Sequence, residues 1–216
     1  MDNQLLNKNM VEGQIKPIGG IQKNILDAFY SIDRDIFVPK NLKDNSYIEK
    51  NILLNDNRFI LKANLLARII SSLNITNEEN VLIIGSSTGY SSAIISKLAE
   101  TVIAIEEDQY LLDLAEEAIK ENGIDNVVFI NNSMIEGCAD QGPFNAIIIE
   151  GAIEELPKKI LNQLDGNGRL IAILSQTDTC NVVEYKKNNN GYNDRFLFSC
   201  IAPKLTSFNK RNLFRF

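Results

Sequence analysis

The chain has no histidine among its 216 residues, and that absence excludes more chemistry than any other feature of its composition. A serine–histidine–aspartate triad, a cysteine–histidine nucleophile and a histidine-ligated metal are all unavailable. Any reaction must use carboxylates, amines, hydroxyls or a bound cofactor. Cysteine is scarce as well: Cys138, Cys180 and Cys200 are widely spaced, odd in number and without a C-x-x-C pair. They fit neither a disulfide framework nor a zinc site, and read as reduced thiols of a cytoplasmic protein.

Long apolar runs and a basic surplus are also missing. No stretch reaches the length needed to span a bilayer, and the opening MDNQLLNKNMVEGQIKP lacks a basic region followed by an apolar one. Membrane insertion and secretion are therefore not expected. The net charge is −6, whereas nucleic-acid binders collect Lys and Arg to displace counterions, so nucleic acid is not an expected partner. Four cations near the C-terminus, Lys204, Lys210, Arg211 and Arg215, read as a solvated tail.

What is present suits one globular α/β domain: 44% hydrophobic and 23% charged residues in a chain of ordinary domain length. Residues 1–76 read as a helical segment and 77–216 as the α/β core. In the first part, Ile21, Ile25, Ala28, Phe29 and Ile32 fall at helical spacing, as do Leu65, Leu66, Ile69, Ile70 and Leu73. Between them, Phe37 to Asp56 reads as an irregular connection.

From residue 81 short apolar runs alternate with amphipathic segments. The predicted order is strand Val81 to Ile84, helix Ser91 to Leu98, strand Val102 to Glu106, and a helix ending at Asn122-Gly123. Strands Val127 to Ile130 and Ala146 to Ile149 follow, then helix Glu154 to Leu164 and strand Arg169 to Leu174. Ala146-Ile147-Ile148-Ile149 is apolar throughout, as a central strand covered on both faces would be. Five strands separated by helices imply a parallel sheet with helices on both faces and ligands beyond its carboxyl ends. Val182 to Lys187 and Arg195 to Ala202, joined by an Asn-rich turn, read as a terminal antiparallel hairpin.

The local chemistry concentrates in Gly85-Ser86-Ser87-Thr88-Gly89-Tyr90, where a buried strand turns through small residues straight into a helix. Such a loop lets the backbone approach a ligand closely and presents helix-terminal amides to its polar groups. Glu106 lies 21 positions after Gly85, at the end of the next strand. A carboxylate there accepts hydrogen bonds from both hydroxyls of a ribose. The chain lacks G-x-x-x-x-G-K-[ST] and the full G-x-G-x-x-G spacing, so a phosphate-binding loop is absent and a dinucleotide site is weakly supported. Glu150, at the end of the apolar strand, also faces this end of the sheet.

These segments resemble the protein-L-isoaspartate O-methyltransferase family from about residue 10 to about residue 174. The resemblance is carried by Met10-Val11-Glu12-Gly13-Gln14-Ile15, by Ile25 to Pro39 with Arg34 and Phe37-Val38-Pro39, and by the Gly85 loop. It continues through Glu106-Glu107, Gly123-Ile124-Asp125-Asn126-Val127 and Gln163 to Leu170, all in the family's order. It implies a seven-stranded, Rossmann-like S-adenosylmethionine-dependent methyltransferase fold, mostly parallel with a terminal antiparallel hairpin. The implied cofactor is S-adenosyl-L-methionine, and the implied partner is a protein or small-molecule methyl acceptor. The cofactor contacts would come from Gly85, Ser86, Ser87, Gly89, Tyr90, Glu106, Glu107, Ser133, Met134 and Glu150.

Departures from the family pattern cluster at the site. Where the family has Gly-Gln-Thr-Ile-Ser-Gln-Pro, this chain reads Asn57-Arg58-Phe59-Ile60-Leu61-Lys62-Ala63, with Leu61 at the serine position. Ile83 stands for the acid before the first loop glycine, Ser87 for the middle glycine, and Ser133 for the acid of the adenine motif. Arg58 and Lys62 are the candidates to orient an acidic acceptor, by charge-assisted hydrogen bonds. Three functions stay open at this point: a methyltransferase acting on a carboxylate or other acceptor, a non-catalytic nucleoside-binding or adaptor protein of the same descent, and, last, a nicotinamide oxidoreductase.

Overall fold

The computed structural model describes residues 3–175, 179–189 and 191–209. It opens with helix α1 (Asn3–Met10), which passes through a π-helical turn (Val11–Ile15) and a 3₁₀ turn (Lys16–Ile18). Helix α2 (Lys23–Ser31) follows and buries Ile25, Ala28 and Phe29, one face at helical spacing. The connection expected to be irregular contains two further 3₁₀ turns, and strand β1 (Ile52–Leu53) within it pairs antiparallel with β2 (Phe59–Ile60). Helix α3 (Ala63–Leu73) buries its whole apolar stripe and stops at Asn74, whose φ of 50° places it in the left-handed region that ends helices.

The core is a seven-stranded sheet in the order β5-β4-β3-β6-β7-β8-β9. Its strands are β3 (Asn80–Ile84), β4 (Thr101–Glu106), β5 (Val127–Asn131), β6 (Phe144–Ile153), β7 (Leu164–Ser175), β8 (Cys180–Asn188) and β9 (Gly191–Cys200). The first five run parallel and the last two antiparallel. Helices α4 (Tyr90–Ser96), α5 (Gln109–Glu121) and α6 (Lys158–Leu161) make the crossovers. Successive strands step outward from β3 to β5, and then the chain returns to β6 on the other side of β3. The winding therefore switches between β3 and β6, whose carboxyl ends are where open α/β sheets bind ligands.

Local signals account for much of this. Asp108 caps α5 by accepting from the Tyr110 and Leu111 amides. β6 is buried along its length except at Asn145, as a central strand must be. Near its carboxyl end the register with β7 slips, so that Ile149, Glu150 and Gly151 lie opposite Ala172 alone. Such bulges bend a strand and re-aim its side chains.

At the amino ends of β3, β6 and β7 one guanidinium joins several segments. Arg169 donates to both carboxylate oxygens of Glu79, at 2.7 and 2.8 Å, and to the carbonyls of Leu73, Asn74 and Asn145. Every one of its five N–H donors is used.

Two expectations are corrected, on a helix and on the C-terminal segment. The helix expected from Glu154 to Leu164 is only Lys158–Leu161: β6 runs to Ile153, Pro157 precedes the first helical residue, and Leu164 already belongs to β7. Cys180 and Cys200, distant in sequence, are register partners across β8 and β9, and all three thiols are free as expected. The C-terminal segment does not leave the fold after β9, as a solvated tail would. Residues 203–208 return over the carboxyl ends of the sheet, where Lys204 bridges in parallel to Ala152 and pairs with Glu154 at 3.2 Å. Lys210, Arg211 and Arg215 lie outside the described residues.

Candidate functional site

The loop after β3 folds as its small residues allow. Gly85 and Gly89 take φ values of 81° and 85°, and Ser87, at the family's glycine position, also lies in the left-handed region at 54°. The Gly85 and Ser86 amides donate to the Ile105 carbonyl of β4, which ties the loop to the neighbouring strand. The Ser87 amide points instead at Glu106 and donates to its Oε2 at 2.9 Å.

Glu106 has 0% of its surface exposed and all its acceptor capacity is directed inward. Its Oε1 accepts from the Glu107 and Asp108 amides at 2.9 and 3.0 Å and from Arg58 Nε at 2.6 Å. Arg58 is itself only 6% exposed; it donates a second bond to Glu107 Oε2 at 3.1 Å and a third to the Asn57 carbonyl. Glu107 in turn accepts from the Met134 amide at 2.8 Å, the Ser133 hydroxyl at 3.3 Å and the Ser207 hydroxyl at 2.6 Å. Burial works against its charge, yet Ser207, the Met134 amide and Arg58 together hold its carboxyl below the usual range. Two carboxylates and one guanidinium thus form a closed network with its own hydrogen-bond donors.

The loop after β3 and the first turn of α4 carry buried hydroxyls of another kind. The hydroxyls of Ser86, Ser87, Thr88, Ser91 and Ser92 are buried without a hydrogen-bond partner among the described residues, as is Glu150 Oε1. A buried polar group left unpaired costs about 1 to 3 kcal/mol, so such a concentration marks a place for water or a polar ligand. Burial raises the Glu150 carboxyl to about 8, against the opposing pull of the Ser91 hydroxyl and the Arg34 guanidinium. The raised value favours its neutral form at pH 7.

The segment after β9 closes the arrangement. The Ala152 amide donates to the Pro203 carbonyl and the Leu205 amide to the Ala152 carbonyl, both at 2.8 Å. Leu205, 1% exposed, packs so closely on the loop that a Cβ added to Gly85 would meet it at 3.3 Å and Met134 Sδ at 3.2 Å. A Cβ on Gly151 would meet Leu205 at 2.6 Å and Phe59 at 2.8 Å. An open cleft of about 450 Å³ is lined by Arg58, Glu107, Asp108, Thr206 and Ser207 among others, so this segment forms part of its wall.

The structure brings Gly85, Ser86, Ser87, Glu106, Glu107, Ser133, Met134 and Glu150 to the carboxyl end of the sheet. It separates two other candidates from them. Gly89 is approached by Ala115 of α5 and Phe129 of β5, within 3.0 Å of its added Cβ, and so serves helix packing. Tyr90 turns into the core against Phe29 and Phe37, with the Arg34 guanidinium 4.6 Å from its ring centroid. Arg58 is neither a solvated cation nor free to orient an acceptor, because it is committed to Glu106 and Glu107. Lys62 stands immediately before α3, and its charge bears on the Cys200 thiol. Among the described residues no hydrogen bond or ion pair joins it to the Arg58 network. Leu61 and Ile83 are core side chains.

The ribose position expected at Glu106 is therefore taken by this chain's own Arg58, and the glycine face by Leu205. As folded, these residues present no free carboxylate to a ribose at Glu106. Sequence reasoning missed the contribution of residues 203–208, whose only signals are the isolated apolar Leu205 and Phe208 in a polar stretch.

Comparison with known proteins completes the description. Residues 3–198 match a family model described as protein-L-isoaspartate(D-aspartate) O-methyltransferase. A protein-L-isoaspartate O-methyltransferase of Methanoculleus marisnigri is 28% identical over 180 residues, covering 83% of this chain and 82% of that one. One solved protein-L-isoaspartate O-methyltransferase superposes with a TM-score of 0.79 at 19% identity, covering 94% of this chain and 65% of that one. A Plasmodium falciparum structure assigned to the same activity, in complex with S-adenosyl-L-homocysteine, gives a TM-score of 0.79 at 22% identity, covering 96% and 99%. At these identities the structural likenesses are of fold.

Proposed function

The chain belongs to the protein-L-isoaspartate(D-aspartate) O-methyltransferase family, and from that premise we propose that it methylates a carboxylate of a protein or other acceptor at the carboxyl ends of β3 and β6. It is an S-adenosylmethionine-dependent methyltransferase resembling protein-L-isoaspartate O-methyltransferase. The observation that carries this reading is a family match over residues 3–198, on a sheet whose winding switches at the Gly85 loop.

A carboxylate acceptor suits this chain. It is already ionised at neutral pH and needs no general base, so the absence of histidine is no obstacle to its use as a nucleophile. What the protein must supply is position and electrostatics. The residues we assign to the cofactor side are Gly85, Ser86, Ser87, Glu107, Ser133, Met134 and Glu150, and Glu106 joins them only where a ribose displaces Arg58 from its carboxylate. We assign Lys62 as the cation nearest in sequence to the acceptor side. Repair of isoaspartyl damage is the biological role in keeping with the family, and a cytoplasmic setting is in keeping with three free cysteines.

Transfer of a labelled methyl group from S-adenosylmethionine tests the reading. Label entering an isoaspartyl peptide supports the family's own reaction. Label entering only proteins of a cell extract keeps the methyltransfer and changes the acceptor. Calorimetric binding of NADH without binding of S-adenosylhomocysteine would overturn the reading.

A further inference from the structure

We propose that the cavity between residues 36–43 and α5 binds a small zwitterion with an apolar side chain, the chemistry of a free amino acid. The site does not rest on the methyl-transfer reading, and it shares no lining residue with the cleft at Arg58 and Glu107. Its volume is about 270 Å³, just under the range of about 300 to 1,000 Å³ that drug-sized ligands occupy. An amino acid is an occupant of that size.

The cavity follows from the local folds on either side of it. Two 3₁₀ turns, Arg34–Phe37 and Lys40–Asn45, and the bend between them form one wall, which carries Val38 and Lys40. Helix α5 forms the other with Leu114, Glu117 and Glu121, whose spacings of three and four place them on one helix face. Thr88 completes the lining. It belongs to the loop whose other end, Gly85, faces Met134 and Leu205, so an occupant would touch that loop from the α5 side.

The free groups set the chemistry of the ligand. Lys40, Glu117 and Glu121 are exposed and make no hydrogen bond or ion pair among the described residues, whereas Lys43 on the same wall is paired with Asp35 at 3.8 Å. Glu117 and Glu121 stand four apart on α5, a spacing at which like charges repel, and a bound ammonium relieves that repulsion. Lys40 offers a carboxylate a charge-assisted hydrogen bond. Charges of both signs on facing walls, none of them paired with another, match a ligand that carries both. Val38, which is buried, and Leu114 give its side chain an apolar surface. The Thr88 side chain is 1% exposed, and its hydroxyl is buried without a hydrogen-bond partner among the described residues. An unpaired buried hydroxyl is costly, and a polar atom of the ligand would satisfy it.

The test takes L-leucine as the probe, with two controls: isocaproate, which lacks the ammonium, and isoamylamine, which lacks the carboxylate. Calorimetry on the full-length chain is compared with Lys40→Gln and with the double variant Glu117→Gln/Glu121→Gln. All three positions are exposed, and circular dichroism checks that each variant is folded. L-leucine is expected to bind about tenfold or more tightly than either control, and to lose about tenfold or more in each variant, on the scale of one charged hydrogen bond. No binding of L-leucine to the parent chain overturns the proposal. So does equal affinity for isoamylamine or isocaproate, or an affinity for L-leucine that neither variant changes. None of these outcomes alters the methyl-transfer reading, which the labelled methyl group tests separately.

Discussion

Arg58 and Glu106 form a buried ion pair, Nε to Oε1 at 2.6 Å, between a turn of the N-terminal segment and the end of the second sheet strand. Removing two charges from water is costly, and such a pair is tolerated only when its remaining donors and acceptors are satisfied. Here they are: three backbone amides, from Ser87, Glu107 and Asp108, complete the carboxylate. The pair is consequently a structural joint as well as part of a candidate site.

Truncating Arg58 to Ala leaves Glu106 buried and unpaired and is expected to cost about 3 to 5 kcal/mol. Urea unfolding followed by circular dichroism measures it. A loss below about 1 kcal/mol would mean that the carboxylate finds water or another partner.

Glu106→Ala removes the acceptor of those amides and of the expected ribose hydroxyls. S-adenosylhomocysteine binding should weaken by about 1 to 3 kcal/mol relative to the parent chain. Unchanged affinity in calorimetry would show that the ligand does not use this carboxylate.

Glu150 makes stability depend on pH. Its folded-state pKa is raised by burial to about 8 from an ordinary 4.5, so between those values the folded protein holds a proton that the unfolded chain has released. Stability contributed by the neutral acid is full below pH 4.5 and is lost as the pH rises through 8. With no histidine in the chain, the side chain that most often titrates in that window is missing. The urea midpoint should fall from pH 5.5 to 8.5, and Glu150→Gln should flatten the fall; an equal slope in both proteins would contradict this.

Arg169→Lys keeps the charge but replaces five fixed donors with three on a flexible stem. A loss of about 1 to 3 kcal/mol is expected, on the scale of charged hydrogen bonds, with the thermal midpoint as the readout. A variant as stable as the parent would show that the carbonyls of Leu73, Asn74 and Asn145 are adequately served by solvent.

Gly151→Ala pushes a methyl group into Leu205 and Phe59. Overpacking of this kind costs about 1 to 3 kcal/mol, and residues 203–208, held by few contacts, are the part most able to yield. Limited proteolysis should therefore cut after residue 202 sooner than in the parent, and an unchanged cleavage pattern would place the yielding at Phe59 instead.

Periodicity made the sheet legible. The apolar run at Ala146 to Ile149 announced a central strand, the loop at Gly85 announced the turn into α4, and Asn122-Gly123 announced the end of α5. Short helix α6 was overread because Glu154 and Glu155 look like an ordinary helix entry, whereas the strand before them runs on to Ile153. The candidate site was legible in location and not in state. Family motifs identify Glu106 by its position after a strand, but position says nothing of Arg58, which is 48 residues away and reaches it only through tertiary folding. Leu205 and Ser207 were opaque for the same reason: their partners, Gly85 and Glu107, are remote in sequence, and two apolar residues in a polar stretch carry no period.

The Arg169 clamp and residues 203–208 sit at opposite poles of the sheet. One fastens the amino ends of β3, β6 and β7 to the close of α3 with a rigid planar group, and the other lies at their carboxyl ends on two backbone hydrogen bonds, two hydroxyls, one ion pair and the buried Leu205 and Phe208. The domain is therefore fastened unevenly along its strands, by one fixed fork of charge at the amino ends and by scattered single contacts at the carboxyl ends.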